Sequence, residues 1–310
     1  MVLQREAVQI ESKRYSPDEA FAYCADITNA HYENFPVASL FLPQEKRPLI
    51  QAIYAFSRIA DDYADESQEP PGERLRKLDE WENQLQACYE GTSEHPVFIA
   101  LGETVRRAEI PVELLNNLLA AFKRDVVQNR YETFEELLSY CVCSANPVGR
   151  LVLSIFGYRD ETLFKLSDHI CTGLQLANFW QDLAVDAQKD RLYLPLEDLK
   201  QFHYSVEEWK NGATGKNFIE LMKCEIERTR TMFYDGAELP SLVNKDLQLE
   251  LKLVWFGGMA ILKAIEKNNY DVYNHRPILS PFGKAMVLMR GLLRSDLSRF
   301  GKRKMPWDLT

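Results

Sequence analysis

Asp61, Asp62 and Asp65 close the run QAIYAFSRIADDYADE, and Asp182 and Asp186 lie inside GLQLANFWQDLAVDAQKDRLYLP, more than a hundred residues later. Within each cluster, spacings of three and four put carboxylates on one helix face. Both segments otherwise read as buried helix, where aspartate is a poor former and is rarely buried unless paired. Two carboxylates about 4 Å apart repel by roughly 4 kcal/mol at an effective dielectric near 20. Lining a core with four or five of them makes sense only when cations join them. The expected chemistry is therefore metal ions and a substrate that brings negative charge of its own.

The flanks extend both patterns. Gln175, Asn178, Asp182 and Asp186 follow at intervals of three, four and four. The expectation is one polar stripe on a continuous helix, about 12 Å long from Asn178 to Asp186. Tyr54, Arg58, Asp61 (or Asp62) and Asp65 repeat the pattern on the first helix. A single D-x-x-x-D is usually a solvated face. Two of them, each with an upstream amide or guanidinium on its stripe, argue for function. Magnesium binds through one or two carboxylates, waters and substrate phosphates, so carboxylates on two facing helices suit a diphosphate held by bridging Mg²⁺. A di-iron bundle would need Glu-x-x-His pairs, and none of the five histidines has glutamate three residues before it.

The elements that must position these groups read as helices throughout. Ser16-Pro17-Asp18-Glu19 is a capping box, and Thr133–Glu136 and Ser205–Glu208 repeat it. Pro43, Pro71, Pro111, Pro147 and Pro281 sit where helices could start. Apolar residues recur at three and four, as in Leu114 to Val127, while period-two alternation is almost absent. Stretches 66–72 and 211–216 are loops rather than linkers. The pattern predicts one all-α domain over residues 1–310.

Composition narrows the partners. A 310-residue chain buries about three quarters of its unfolded surface and needs no staples. The net charge of −9 argues against nucleic acid and against nonspecific attraction to anionic lipid. The six cysteines (24, 88, 141, 143, 171 and 224) lack a CxxC pair, and with His169 they make no zinc spacing. They read as buried, reduced thiols of a cytoplasmic protein. The longest strongly apolar stretch, Leu253 to Leu262, is half a membrane span, so contact with the inner membrane face is at most peripheral.

The two acidic segments resemble the squalene/phytoene synthase family of head-to-head prenyl synthases. YAFSRIADDYADE is similar to the family's first motif, YAFCR-x-x-DD-x-x-D. QLANFWQDLAVDAQKDRLYLPLEDL is similar to its second, QL-x-N-x-x-RD-x-x-ED-x-x-x-x-R-x-YLP. Tyr140-Cys141 through Pro147-Val148-Gly149 resembles Y-C-x-x-x-A-x-x-V-G, and HYENFPVASLFLP stands in place of an S-x-S-F segment. The resemblance covers roughly residues 20 to 290. It implies an isoprenoid-synthase-type helical bundle around a central cavity, with Mg²⁺ as cofactor.

Carried over residue by residue, Asp61, Asp65, Asp182 and Asp186 would hold Mg²⁺, with Asp62 helping. Arg58, Asn178 and Gln175 would bind the diphosphate or its metals, and His31 would lie near it. Tyr54 and Phe35 would flank the isoprenoid tail, and Tyr140 would stand beside the reacting carbons. Arg191, Tyr193 and Arg276 would close over the phosphates. Plainer readings exist: Tyr140, Tyr54 and Phe35 as core aromatics, His31 as structural, Arg191 as a partner of Asp190, and Arg276 as the cap of a helix ending near Asn274.

Three positions depart from the family pattern. Gln181 stands where most members carry arginine, Glu33 stands near a place where some have lysine, and Ser57 replaces the usual cysteine. Gln181, the NFWQD run and ENFPVAS look most like one bacterial branch, the hydroxysqualene synthases of hopanoid biosynthesis. The implied reaction ionises presqualene diphosphate, admits one water, and releases hydroxysqualene and diphosphate. The alternatives are a synthase that condenses two prenyl diphosphates, such as farnesyl diphosphate, to squalene, dehydrosqualene or phytoene, and a non-catalytic assembly or lipid-binding relative.

Overall fold

A computed structural model of the chain describes residues 14–30, 42–65, 69–293 and 297. Among these residues every regular element is helical, as the periodicity predicts. The helices pack into two compact units.

The first unit comprises residues 1–127 and 150–159. It contains α1 (Pro17–Ala30), α2 (Arg47–Asp65), α3 (Pro71–Glu90), α4 (Pro96–Ala108) and α5 (Val112–Val127). Helix α2 packs against the other four. Its buried residues include Ala52, Ala55, Ala60 and Ala64, whose small side chains let neighbours approach, with Ile53 and Phe56 filling the gaps. Trp81 of α3 and Phe98 of α4 close on Phe56, with ring centroids 6.2 and 5.9 Å away. The Trp81 indole N–H also donates to the Phe56 carbonyl at 3.2 Å. His95 caps α4, its Nδ1 accepting from the Val97 N–H at 3.2 Å. Burial pulls this imidazole down to about 4, which keeps it neutral and able to accept.

The second unit comprises residues 128–149 and 160–310. Its elements are α6 (Phe134–Ser144), α8 (Glu161–Gln181), α9 (Leu183–Gln188), α10 (Leu196–Gln201), α11 (Val206–Lys210), α12 (Lys216–Asp235), α13 (Lys245–Lys267) and α14 (Pro281–Leu293). Helix α7 (Asn146–Ile155) carries residues of both units. Helix α8 packs against α6, α12 and α13. Phe233 of α12 fits only because α8 and α13 present glycine to it: a Cβ on Gly173 would lie 3.3 Å from its ring, and one on Gly258 only 2.2 Å. Trp180 donates its indole N–H to Thr229 Oγ1 at 2.7 Å, fixing the last turn of α8 to α12.

The Ser16 and Ser205 capping boxes form as expected. Thr133 Oγ1 accepts from Glu136 N–H, while Glu136 Oε2 accepts from the N–H of Glu132. Helices begin at or beside Pro71, Pro111, Pro147 and Pro281, but after Pro43 a turn intervenes and α2 starts at Arg47. The cysteines are free, yet Cys143, Cys171 and Cys224 are only partly buried. One stretch of described residues, 134–155, is long and apolar enough to suggest a membrane span. It is two helices of 11 and 10 residues broken at Ala145, each too short to cross.

Candidate active site

In the first unit the acidic motif occupies the last turn and a half of α2. Arg58 lies beside it, donating Nη1 to Asp61 Oδ2 at 3.3 Å and Nη2 to Asp62 Oδ1 at 2.5 Å. One guanidinium thus relieves the repulsion between neighbouring carboxylates that an unpaired pair would suffer. Tyr54 is one turn earlier on the same face. Partial burial raises its phenol, with Arg58 opposing and Asp61 and Asp62 reinforcing the shift. The expected stripe of Tyr54, Arg58, Asp61 or Asp62, and Asp65 therefore exists on α2 as a helical face.

In the second unit the expected continuous helix is not observed. Asp182 leaves helical geometry with φ −104° and ψ 12°, ending α8 and opening α9. The bend nevertheless conserves the polar stripe. The Asp182 N–H donates to the Asn178 carbonyl at 2.9 Å, and the Asp186 N–H donates to the Asp182 carbonyl at 2.9 Å. Backbone bonds therefore join Asn178, Asp182 and Asp186 across the break. The chain then turns back, with the Arg191 N–H on the Asp186 carbonyl at 2.9 Å. Asp190 takes a positive φ of 53° at this turn and pairs with Arg130 at 2.7 Å and Lys210 at 3.2 Å.

Arg276 holds the Asp182 carboxylate with two N–H donors, Nε on Oδ1 and Nη2 on Oδ2, the latter at 3.1 Å. This pairing, first among the causes, raises the guanidinium above its ordinary value. Arg276 does not cap a helix, since α13 already ends at Lys267. Beside it, Gln181 Nε2 donates to the Pro277 carbonyl. Two consecutive residues of the motif thus hold two consecutive residues of the segment that follows α13.

Tyr140 and Tyr193 belong to a buried aromatic wall in the same unit. Tyr193 stacks on Phe179, with centroids 3.7 Å apart and planes 9° from parallel. Tyr140 stands 6.1 Å from each of them, and Tyr131 is 5.6 Å from Tyr140 and 5.8 Å from Tyr193. Backbone bonds from Leu192 to Asn129 and from Leu196 to Tyr131 hold the two segments side by side. Tyr131 and Phe179 were not among the expected site residues; Tyr131 stands in the polar stretch QNRYET, where no pattern marks it, and Phe179 reads only as an apolar residue of a buried helix. The π faces suit a cationic group, and the buried rings offer it little water.

His31 and Phe35 lie outside the described residues. Gln175 is partly buried and Asn178 exposed, both on the last turns of α8. Among the described residues, no three His, Cys, Asp or Glu side chains gather as a ready metal cage. The motif donors are all carboxylate oxygens. That set fits a hard cation completing its shell with water and phosphate oxygens rather than a resident transition metal.

Residues 28–283 match the family model described as squalene/phytoene synthase. A hydroxysqualene synthase of Rhodopseudomonas palustris is 32% identical over 275 residues, covering 87% of this chain and 91% of that protein. A phytoene synthase of Arthrospira platensis is 30% identical over 290 residues, covering 89% and 94%. Among solved structures, squalene synthase HpnC from Alicyclobacillus acidocaldarius is similar with a TM-score of 0.79 and 38% identity, covering 84% of this chain and 98% of that one.

Proposed function

The chain belongs to the squalene/phytoene synthase family of prenyl-diphosphate enzymes, and from that premise we propose that it converts presqualene diphosphate and water to hydroxysqualene and diphosphate. The observation that carries this reading is Gln181, which stands where most members carry arginine and spends its amide on the Pro277 carbonyl. One cation fewer beside the second motif suits an enzyme that handles one diphosphate instead of two. The similarity to a hydroxysqualene synthase and to squalene synthase HpnC over most of the chain supports it.

The carboxylates of Asp61, Asp62 and Asp65 on α2 would hold Mg²⁺, and so would those of Asp182, at the break between α8 and α9, and of Asp186 on α9. Magnesium there supplies Lewis-acid stabilisation to the departing diphosphate. Arg58 and Arg276 bring guanidinium forks to these carboxylates and can turn the same donors to phosphate oxygens. Gln175 and Asn178 add amide donors, and Arg191 a further cation. When the C–O bond breaks, the electron pair leaves with diphosphate and the carbon skeleton is left cationic. Tyr140, Phe179 and Tyr193 offer π faces to that charge, and their burial limits quenching. Addition of one water and loss of one proton gives the alcohol, so no hydride donor is needed.

Separate incubation with farnesyl diphosphate and with presqualene diphosphate tests the reading by product analysis. An alcohol from the second alone is expected; a hydrocarbon from farnesyl diphosphate would overturn it. Similarity to a phytoene synthase over most of the chain favours a second reading, condensation of two prenyl diphosphates. Asp61→Ala and Asp182→Ala should each abolish Mg²⁺-dependent diphosphate release with the circular dichroism unchanged, and full activity in both would sink the metal assignment.

A further inference from the structure

Helix α14 carries a face that the reaction does not use. Phe282, Ala285, Met289, Leu292 and Leu293 are exposed and follow one another at helical spacing, so they form one stripe. Phe282 is 76% exposed, Leu292 63% and Leu293 77%, and Ile278 just before the helix is 67% exposed. The stripe is held in place from behind. A Cβ on Gly291 would lie 2.8 Å from Leu253 Cδ2 and 3.5 Å from Leu249 Cδ1, so α14 is pressed closely on α13. Scattered apolar residues are ordinary on a surface, but a contiguous stripe of large ones marks a binding face.

Charge identifies the occupant. Lys284 and Arg290 are exposed on this helix. From Pro281 to the C-terminus the sequence has seven lysines and arginines against two acidic residues, both aspartate, whereas the preceding 280 residues have 30 lysines and arginines against 44 aspartates and glutamates. The cations of an acidic protein are thus concentrated, along the sequence, in the segment that begins with its exposed apolar helix. We propose that α14 lies in the interface of an anionic lipid bilayer, with its apolar stripe at the acyl boundary and its cations on the headgroups. A second copy of the chain is a poor occupant, because a symmetric pairing would set one cationic rim against another. The proposal rests on this surface and is independent of which product the enzyme makes.

Flotation of the full chain with vesicles of phosphatidylcholine, alone or with about one quarter phosphatidylglycerol, tests it. Partition onto the anionic vesicles should exceed that onto neutral ones by about tenfold and fall in high salt. The triple substitution Phe282→Ser, Leu292→Ser, Leu293→Ser should lower it by at least about tenfold, with melting temperature and oligomeric state unchanged. Should that variant fold poorly, Lys284→Glu with Arg290→Glu gives the second reading, a selective loss on anionic vesicles. No flotation of the parent chain, equal flotation on neutral vesicles, or undiminished flotation of the well-folded variants overturns the proposal. So does a solution dimer that the triple substitution splits.

Discussion

Arg276 grips Asp182 through two N–H donors at once, a fork that lysine cannot reproduce. Arg276→Ala is expected to lower the rate of diphosphate release by about 10²-fold at saturating substrate, and Arg276→Lys to restore part of it. Equal rates in all three proteins would remove Arg276 from the site. The carboxylates were legible in the sequence because aspartate at helical spacing in an apolar segment is conspicuous. Their partners were less so. Arg276 lies 94 residues from Asp182, and no local pattern announces such a pairing. Glu250 is a residue that only the fold reveals: burial lifts its carboxyl from 4.5 to about 7. The folded chain then holds a proton that the unfolded chain has released, so its contribution to stability falls as pH rises from about 4.5 to 7 and stays low above. Glu250→Gln, neutral throughout, should be more stable than the parent at pH 8 by about 1–3 kcal/mol and nearly equal at pH 4.5, read by urea denaturation. The same difference at both values would show that Glu250 is not the titrating group.

At the scale of helices, capping serines and prolines mark starts well because their chemistry is local. The bend at Asp182 escaped for the opposite reason: nothing in NFWQDLAVD disfavours helix strongly, and the break coincides with the side-chain hold on Arg276 and Pro277. Packing between helices is equally hidden, as α13 illustrates. Gly257 and Gly258 are neighbours, yet a Cβ meets nothing within 4 Å at the first and the Phe233 ring at 2.2 Å at the second. Gly257→Ala should therefore stabilise by about 0.5–1 kcal/mol through helix propensity. Gly258→Ala should destabilise by about 1–3 kcal/mol through forced displacement of Phe233. Thermal melting of the two variants reads the contrast, and a shared sign would contradict the packing described for Phe233.

Across the whole molecule, the all-α class and the family were both legible, since each rests on patterns repeated along the chain. Which helices pack into which compact unit depends instead on contacts between residues distant in sequence, which no local pattern encodes. Chelation bears on the molecule as a whole. Under the proposed function, removing Mg²⁺ should stop turnover; as no three His, Cys, Asp or Glu side chains gather among the described residues, the melting temperature should stay within about 1 °C. A large fall in melting temperature would instead indicate a structural ion.

The amide of Gln181 on the Pro277 carbonyl has a consequence for reading ancestry from activity. Exchanging this glutamine for the arginine common in the family alters two properties together, the electrostatics beside the motif and the tether on the segment bearing Arg276. A change in substrate preference after Gln181→Arg could then come from a freed loop rather than an added charge. Gln181→Met, which severs the tether without adding charge, is the control that separates inheritance of a cation from inheritance of a hinge.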